Sequence, residues 1–208
     1  MHDSGRLGPI EWATAGRPLF GEQISGDHPI AIDIDGDAAL FGVMDGLGHG
    51  PAAATAAQRA VEALNRTPDE RLEVLVQLCH RVLAGTRGVA MTLARVDFRA
   101  GTLTWTGVGN VRANLVAKDA TGTHIRSSAR LTAGIVGYRI PEIRPAQVVS
   151  IRPGDLIVIA SDGIAEDHLE HIDFAASATG IAERILGKHA KETDDALVLA
   201  ARHRGAST

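Results

Sequence analysis

The chain has 208 residues, of which 45% are hydrophobic and 22% charged, and its formal net charge is −4 with acidic and basic residues well mixed. This composition is typical of a soluble globular protein and excludes the basic stripe of a nucleic-acid binder, while a single cysteine, Cys79, excludes an internal disulfide and a cysteine-based zinc site. The length favours one domain over 1–208, and the mixed charge predicts no nucleic-acid partner. Because no stretch has the pattern of a secretion signal or a bilayer span, we expect a cytoplasmic location and no membrane partner.

A β-hairpin and two helices are the first predicted elements. Apolar residues lie on both sides of Asp35-Gly36, and an Asp-Gly pair between two apolar runs favours a hairpin turn. A helix is predicted over 51–65, with one apolar stripe formed by Ala54, Ala57, Val61 and Leu64. A second helix is predicted from Asp69 onwards, with an inward stripe formed by Leu72, Leu75, Val76, Cys79 and Val82.

Strands dominate the rest of the chain. Residues 88–117 are predicted to form a meander with turns near Ala100-Gly101 and Gly109-Asn110, and a further strand follows the Pro153-Gly154 turn. A helix within 172–188 and a strand with the sequence ALVLAAR complete the pattern. Because hairpin strands surround two consecutive helices, we expect an antiparallel α+β layered fold and not a doubly wound parallel sheet.

Four aspartates occupy one type of position, at or beside the end of an apolar strand and next to a glycine or a second acid: Asp27, Asp45, Asp162 and Asp194. Any one of them alone is usually a turn residue. If several such strand ends converge, however, their charges repel, and a bound cation relieves the repulsion because carboxylates are preferred ligands of Mg²⁺ and Mn²⁺. Gly46 fits this site, since a residue without a side chain lets its own carbonyl approach a metal ion.

Six motifs in a fixed order, SGD, DGLGHG, TRG, TWTGVGNV, LIVIASDG and DDALVLAAR, resemble the metal-dependent protein phosphatases of the PPM or type 2C family. Within that family they look most like the bacterial SpoIIE and RsbX types, above all the stand-alone RsbX type. The resemblance implies an αββα sandwich of two antiparallel β-sheets flanked by helices, with a metal cleft at one edge of the sheets.

The resemblance also implies a site with two Mn²⁺ or Mg²⁺ ions. Asp45 would bridge the ions, the Gly46 carbonyl would bind one of them, and Asp162 and Asp194 would bind the other. Asp27 would act directly or through a water molecule. The catalytic set is then Asp45, Asp162 and Asp194, and the ions would activate a water molecule for in-line attack on phosphorus.

The implied function is that of a phosphoserine/phosphothreonine protein phosphatase in a bacterial partner-switching or stress-signalling pathway. Its substrate would be a phosphorylated regulatory protein, either a STAS-domain antagonist or a stressosome-like component. Two alternatives stay open: a catalytically weak binding module with the same fold, and a phosphatase of small phosphomonoesters. The presence of all four acids speaks against the binding module, because docking alone does not require them.

Several residues depart from the pattern of the resemblance or are ambiguous within it. Leu47 stands where the eukaryotic branch has a histidine, so His49 is expected to contribute near the helix start or to substrate binding, without acting as the general acid. Arg17 and Arg87 are candidates for binding substrate phosphate, the alternative being ordinary surface arginines. Asp195 is expected to support its loop, although it could replace Asp194 as the ligand.

Overall fold

The computed structural model describes residues 1–170 and 172–205. Within them, the elements along the chain are β1 (His2–Leu7), β2 (Ile10–Arg17), β3 (Asp27–Ile34), β4 (Ala38–Gly46), α1 (Pro51–Arg66), α2 (Leu72–Val82), β5 (Val89–Asp97), β6 (Thr102–Val108), β7 (Arg112–Asp119), β8 (Gly122–Ser128), β9 (Leu131–Thr132), β10 (Gln147–Ser150), β11 (Leu156–Ala160), α3 (Ala178–His189) and β12 (Ala196–His203).

Local sequence accounts for the helix boundaries. Pro51 occupies the first turn of α1, where its fixed φ suits a helix and its missing N–H costs no hydrogen bond. The same helix ends at Arg66, just before Thr67, whose position ahead of Pro68 disfavours helical backbone. Helix α3 begins after Ser177, whose side chain accepts a hydrogen bond from the Gly180 N–H at 3.1 Å.

The strands form two sheets. The first sheet has the order β1-β2-β12-β11-β7-β8, and the second has the order β10-β6-β5-β4-β3, with β9 pairing beside β6. Every strand pair is antiparallel except the two-residue β6–β9 pair, which is parallel. The predicted Asp35-Gly36 hairpin is confirmed, since β3 and β4 pair in register from Asp27↔Asp45 to Ile34↔Ala38.

Three apolar clusters define four layers. Helices α1 and α2 pack on the outer face of the second sheet, largely through alanines of α1 and leucines of α2. Helix α3 packs on the outer face of the first sheet. The two sheets bury their inner faces against each other, with large contributions from Phe41, Trp105, Leu115, Leu197 and Leu199. The predicted αββα sandwich is therefore confirmed.

The structure departs from the sequence prediction in four details. The hairpin of β5 and β6 exists, but the chain leaves the second sheet after Val108 and enters the first sheet as β7, so 88–117 is not one meander. Val82 is 37% exposed at the end of α2 and does not face inward, and that helix begins at Leu72 and not at Asp69. The sequence pattern does not predict strands β1, β2, β8, β9 and β10.

Across the residues that the structure describes, we find no helix long and apolar enough to cross a lipid bilayer.

Candidate active site

A cavity of about 380 Å³ lies where the two sheets meet at one end of the sandwich. Its wall includes Asp45, Asp162 and Asp194, so three of the four predicted aspartates share one space. The fourth, Asp27, lies directly opposite Asp45 in the β3–β4 register and is almost completely buried. We call this space the acid cavity; its remaining lining residues are Leu47, Gly48, Ala90, Gly109, Asn110, Gly134 and Ile135.

The acids reach the cavity from both sheets. Asp27 begins β3 and Asp45 lies next to the end of β4, so both belong to the second sheet. Asp162 follows β11 by two residues and Asp194 precedes β12 by two residues, so both extend from the first sheet. The convergence expected from the strand-end positions is thus observed, and it depends on the packing of one sheet on the other.

Burial and mutual repulsion make the site electrostatically unfavourable for ionised acids. Burial, followed by the charges of Asp27, Asp162, Asp194 and Asp195, raises the pKa of Asp45 to about 9. Burial also raises the pKa of Asp27 to about 7, with a further rise from neighbouring aspartates and an opposing effect from the Ser161 hydroxyl. The pKa of Asp194 is raised as well, first by its burial and then by Asp162. Without a positive charge nearby, Asp45 is protonated at neutral pH.

The donor set fits a hard divalent cation. Its oxygens are carboxylates, which Mg²⁺ and Mn²⁺ prefer, and a cation would lower the raised pKa values by supplying the missing positive charge. Within 1–170 and 172–205, no group of three or more Asp, Glu, His or Cys side chains is arranged so that it could hold a metal ion on its own. The acids border an open cavity instead, as suits an ion that retains several water ligands.

Gly46 has a packing role that the sequence did not reveal. A Cβ atom on Gly46 would lie 2.2 Å from the Ala53 carbonyl oxygen, so a side chain there would push α1 away from β4. The Gly46 N–H also donates to the Gly26 carbonyl at 3.2 Å. Gly46 therefore allows the close contact between β4 and α1 that fixes the position of Asp45. Its role as a carbonyl ligand stays a prediction.

The two adjacent acids at the start of β12 have different surroundings. Asp195 is buried, and its carboxylate accepts hydrogen bonds from the Leu19 and Gly26 N–H groups, both at 2.8 Å. Asp194 lines the acid cavity. These positions agree with a structural role for Asp195 and leave Asp194 as the candidate ligand.

Three residues of the site were not predicted. The Asn110 amide donates to Asp162 Oδ2 at 2.6 Å, and the Lys191 ammonium donates to the Asp162 carbonyl at 2.7 Å. The Ser161 hydroxyl donates to Asp27 Oδ2 at 2.7 Å and accepts from the Leu197 N–H at 3.0 Å. The sequence around Asn110 predicts a turn and gives no sign of this contact. Ser161 could have been selected from the sequence, because it is a polar residue that directly continues the apolar run of β11.

The predicted substrate-binding residues lie at different distances from the acids. Arg87 lies beside Gly48, a residue of the cavity wall, with its Nη1 atom 2.9 Å from the position that a Cβ on Gly48 would take. His49 is exposed and its Nδ1 atom lies 2.7 Å from Glu22 Oε1. The Arg17 guanidinium donates to the carbonyls of Pro18 and Lys191, and it is not part of the acid-cavity wall.

Comparison with known proteins places this arrangement in context. A profile of the Stage II sporulation protein E (SpoIIE) family matches residues 35–206. The phosphoserine phosphatase RsbX of Bacillus subtilis (strain 168) is 26% identical over 92 residues. That alignment covers 44% of this chain and 46% of RsbX, so it spans about half the length of this curated relative.

Two solved structures share the fold over most of the chain. One comes from work on the bacterial stressosome as a modular system adapted to control secondary messenger signaling. It is 33% identical to this chain, with a TM-score of 0.82, and the match covers 93% of this chain and 99% of the other. The other is RsbX in complex with magnesium, 18% identical with a TM-score of 0.80, covering 97% of this chain and 99% of the other. The second likeness shows the fold alone.

Proposed function

This chain belongs to the SpoIIE family of the PPM-type phosphatases, and from that premise we propose that it is a metal-dependent phosphoserine/phosphothreonine protein phosphatase that uses two Mn²⁺ or Mg²⁺ ions. One observation carries the proposal: acids from both sheets, Asp45, Asp162 and Asp194, border the same cavity, with Asp27 buried beside them. An aspartate that only forms a turn does not require other acids nearby, and a cluster of buried acids is unfavourable without a cation.

The proposed ligands are the four aspartates and the Gly46 carbonyl. Asp45, Asp162 and Asp194 would hold the ions at the cavity wall, and Asp27 would do so directly or through a water molecule. When bound, the ions supply Lewis-acid stabilisation of the phosphoryl oxygens and lower the pKa of water, which makes hydrolysis possible at neutral pH.

The neighbouring residues position these acids and the substrate. Asn110 and Lys191 hold Asp162 through its side chain and its carbonyl, and Ser161 holds Asp27. The Arg87 guanidinium, beside Gly48 of the cavity wall, suits contact with a phosphate because its planar donors match phosphate oxygens. The apolar side chains of Leu47 and Ile135 form part of the wall and would limit water access to a bound phosphoserine.

The proposed substrate is a phosphorylated regulatory protein, a STAS-domain antagonist or a stressosome-like component, in the cytoplasm. The support is the 33% identical structure from work on the bacterial stressosome together with the partial match to a phosphoserine phosphatase. A phosphoserine on a protein loop could enter the acid cavity, because the cavity opens to solvent beside the exposed side chain of Leu47.

The decisive experiment measures phosphate release from a panel of phosphorylated STAS-domain proteins, with and without Mn²⁺. We expect p-nitrophenyl phosphate and at least one panel member to be hydrolysed only when Mn²⁺ or Mg²⁺ is present. Undiminished hydrolysis in excess EDTA, with metal-free protein verified, would remove the metal-dependent mechanism. Hydrolysis of the aryl phosphate without any panel member would restrict the proposal to another substrate.

A further inference from the structure

A second open space, here called the docking groove, lies beside the acid cavity. It has a volume of about 850 Å³ and is bordered by residues 17–22, from the last residue of β2 into the loop before β3. The other border is formed around the end of α3 by Leu186, Gly187, Ala190 and Glu192. Its apolar lining includes Leu19, Phe20 and Ala190. None of the four candidate ligand aspartates lines it, so it is distinct from the phosphate site.

Phe20 has an unusual position in this groove. It is 92% exposed, the most exposed large hydrophobic side chain among the residues described. The chain is poor in aromatic residues, at 3%, so most of its surface offers no aromatic anchor. Burying such a side chain in a complex releases free energy, and aromatic residues are enriched among those that dominate protein interfaces.

A hydrogen-bonded turn presents Phe20 to solvent. The Glu22 N–H donates to the Leu19 carbonyl at 2.9 Å, which closes a four-residue turn with Phe20 and Gly21 at its centre. Gly21 has a φ of 93°, the left-handed value that the third residue of a type II turn requires, and nothing lies within 4 Å of a Cβ placed on it. Glycine is therefore used here for backbone conformation, and the turn holds Phe20 outward before any partner arrives.

One hydrogen bond reaches from the groove to a wall residue of the acid cavity, Asp162, and two others reach residues that directly follow wall residues in the sequence. The Leu19 N–H donates to Asp195 at 2.8 Å, and Glu22 contacts His49 at 2.7 Å. Lys191, between two groove residues, donates to the Asp162 carbonyl at 2.7 Å and accepts from Arg17 through its own carbonyl. A segment bound in the groove therefore lies beside the acid cavity.

The charged side chains of the groove favour a peptide segment that carries a basic residue. The groove lining contains two carboxylates, Glu22 and Glu192, and one guanidinium, Arg17, so its formal charge is negative. Arg17 donates to two carbonyls and Glu22 contacts His49, so the polar atoms of both already have partners within the chain. Glu192 makes no hydrogen bond or ion pair with any residue in the described part of the chain, and its carboxylate is available to a partner.

We propose that the docking groove binds the segment flanking the phosphoserine of the protein substrate, with an apolar side chain against Phe20 and a lysine or arginine against Glu192. This inference rests on the proposed phosphatase function and adds to it a substrate class: phosphoserine in an apolar and basic context. The groove acts in recognition, while hydrolysis takes place in the acid cavity.

Two synthetic phosphoserine peptides test the proposal. One carries leucine and lysine on both sides of the phosphoserine, and the other carries glycine and serine at the same positions. In Mn²⁺ we expect kcat/KM to be at least about tenfold higher for the first peptide, mainly through KM. Phe20→Ala should remove most of this preference, and Glu192→Gln should remove the part that depends on lysine.

Ile125→Ala is the matched control, because Ile125 is also an exposed hydrophobic side chain, 53% accessible on β8, and lies outside the groove. It should keep the full preference. Equal kcat/KM for the two peptides in the unaltered protein, or an undiminished preference in Phe20→Ala, would overturn the docking proposal. Hydrolysis of p-nitrophenyl phosphate measures the acid cavity separately, so its absence in Mn²⁺ would instead count against the phosphatase function.

Discussion

Asp45 is the residue at which the electrostatic conflict of the site is greatest. It is largely buried, it faces Asp27 across the β3–β4 pair, and its pKa is raised to about 9 by burial and by four neighbouring aspartates. A carboxyl group in this environment gains much from a cation that removes the repulsion. We therefore expect its side chain to contribute more to metal binding than to the stability of the turn.

We predict that Asp45→Asn gives a folded protein with activity near background. Asparagine keeps the size of the side chain but loses the negative charge, so Mn²⁺ affinity should fall by at least about 100-fold, as calorimetry would measure. The melting temperature of the metal-free variant should equal or exceed that of the unaltered protein. A variant that unfolds would make Asp45 a structural residue, and one that keeps most activity would place the site elsewhere.

His49 is the second residue with a testable role. Its ring is exposed and contacts Glu22, and it is not part of the acid-cavity wall. We predict that His49→Ala lowers kcat for p-nitrophenyl phosphate less than about tenfold, below the 10²–10⁴-fold typical of lost general-acid catalysis. A loss as large as that of Asp45→Asn, with Mn²⁺ binding intact by calorimetry, would assign His49 a catalytic role.

At the scale of elements, the contact between β4 and α1 determines where Asp45 lies. A methyl group on Gly46 would meet the Ala53 carbonyl at 2.2 Å, whereas a methyl group on Gly187, within α3, would have nothing within 4 Å. The same substitution should therefore have opposite effects on stability at the two positions.

We predict that Gly46→Ala lowers the free energy of unfolding by about 1–3 kcal/mol through overpacking, and that Gly187→Ala raises it by up to about 1 kcal/mol through helix propensity. Urea denaturation of the two variants measures both changes. Gly46→Ala should also weaken Mn²⁺ binding, because it moves Asp45. Equal stability of the two variants would show that α1 can shift without cost.

The sequence was informative where an element has a local signal. The Asp35-Gly36 hairpin, the alanine-rich α1 and the apolar β12 could all be predicted, because turn chemistry and apolar periodicity are read within a few residues. Strand β1 could not be predicted, since all but its last residue are exposed and carry no apolar alternation. The change of sheet after Val108 was also out of reach, because a Gly-Asn turn looks the same whether it joins two strands of one sheet or of two.

The site residues also divide into those with a local sequence signal and those placed only by tertiary packing. Four aspartates could be selected because each stands at a strand end, and the resemblance to a phosphatase family supplied their roles. Asn110 and Lys191 contact Asp162 only after two sheets and several loops have packed together, so no local sequence pattern predicts these contacts. The packing requirement at Gly46 likewise depends on how closely α1 approaches β4.

For the whole molecule, the acid cavity is a place where repulsion acts across the junction of the two sheets. Asp27 and Asp45 belong to the second sheet, and Asp162 and Asp194 extend from the first. In metal-free protein, ionisation of these acids should therefore oppose the docking of one sheet on the other. We therefore expect protons to stabilise the metal-free sandwich and bound cations to replace them.

We predict that metal-free protein loses stability as pH rises between the ordinary carboxyl pKa of 3.8 and about 9. Because the folded-state pKa of Asp45 is raised, its contribution to the free energy of unfolding is fully present below pH 3.8 and disappears as the pH rises through the folded-state value. The slope of this loss is at most about 1.4 kcal/mol per pH unit for each proton. Thermal denaturation in EDTA across this range measures the slope.

The matched comparison is Asp45→Asn, which should show a flatter pH profile. Burial lowers the pKa of His28 and of His168, so these histidines act in the opposite direction and reduce stability when they become charged at low pH. Their contribution is common to both proteins and cancels in the difference. Identical profiles for the two proteins would show that Asp45 does not titrate as described.

The position of β12 has a consequence for the order in which the molecule can be built on the ribosome. Strand β12 is central in the first sheet, where it joins β2 to β11, yet it is the last of the described strands to be translated. Strands β3 to β6 can pair while synthesis continues, whereas β2 must wait for β12 before it has its inner partner. Asp194 arrives together with β12, so the acid cavity of a nascent chain stays incomplete until this strand has been released and inserted.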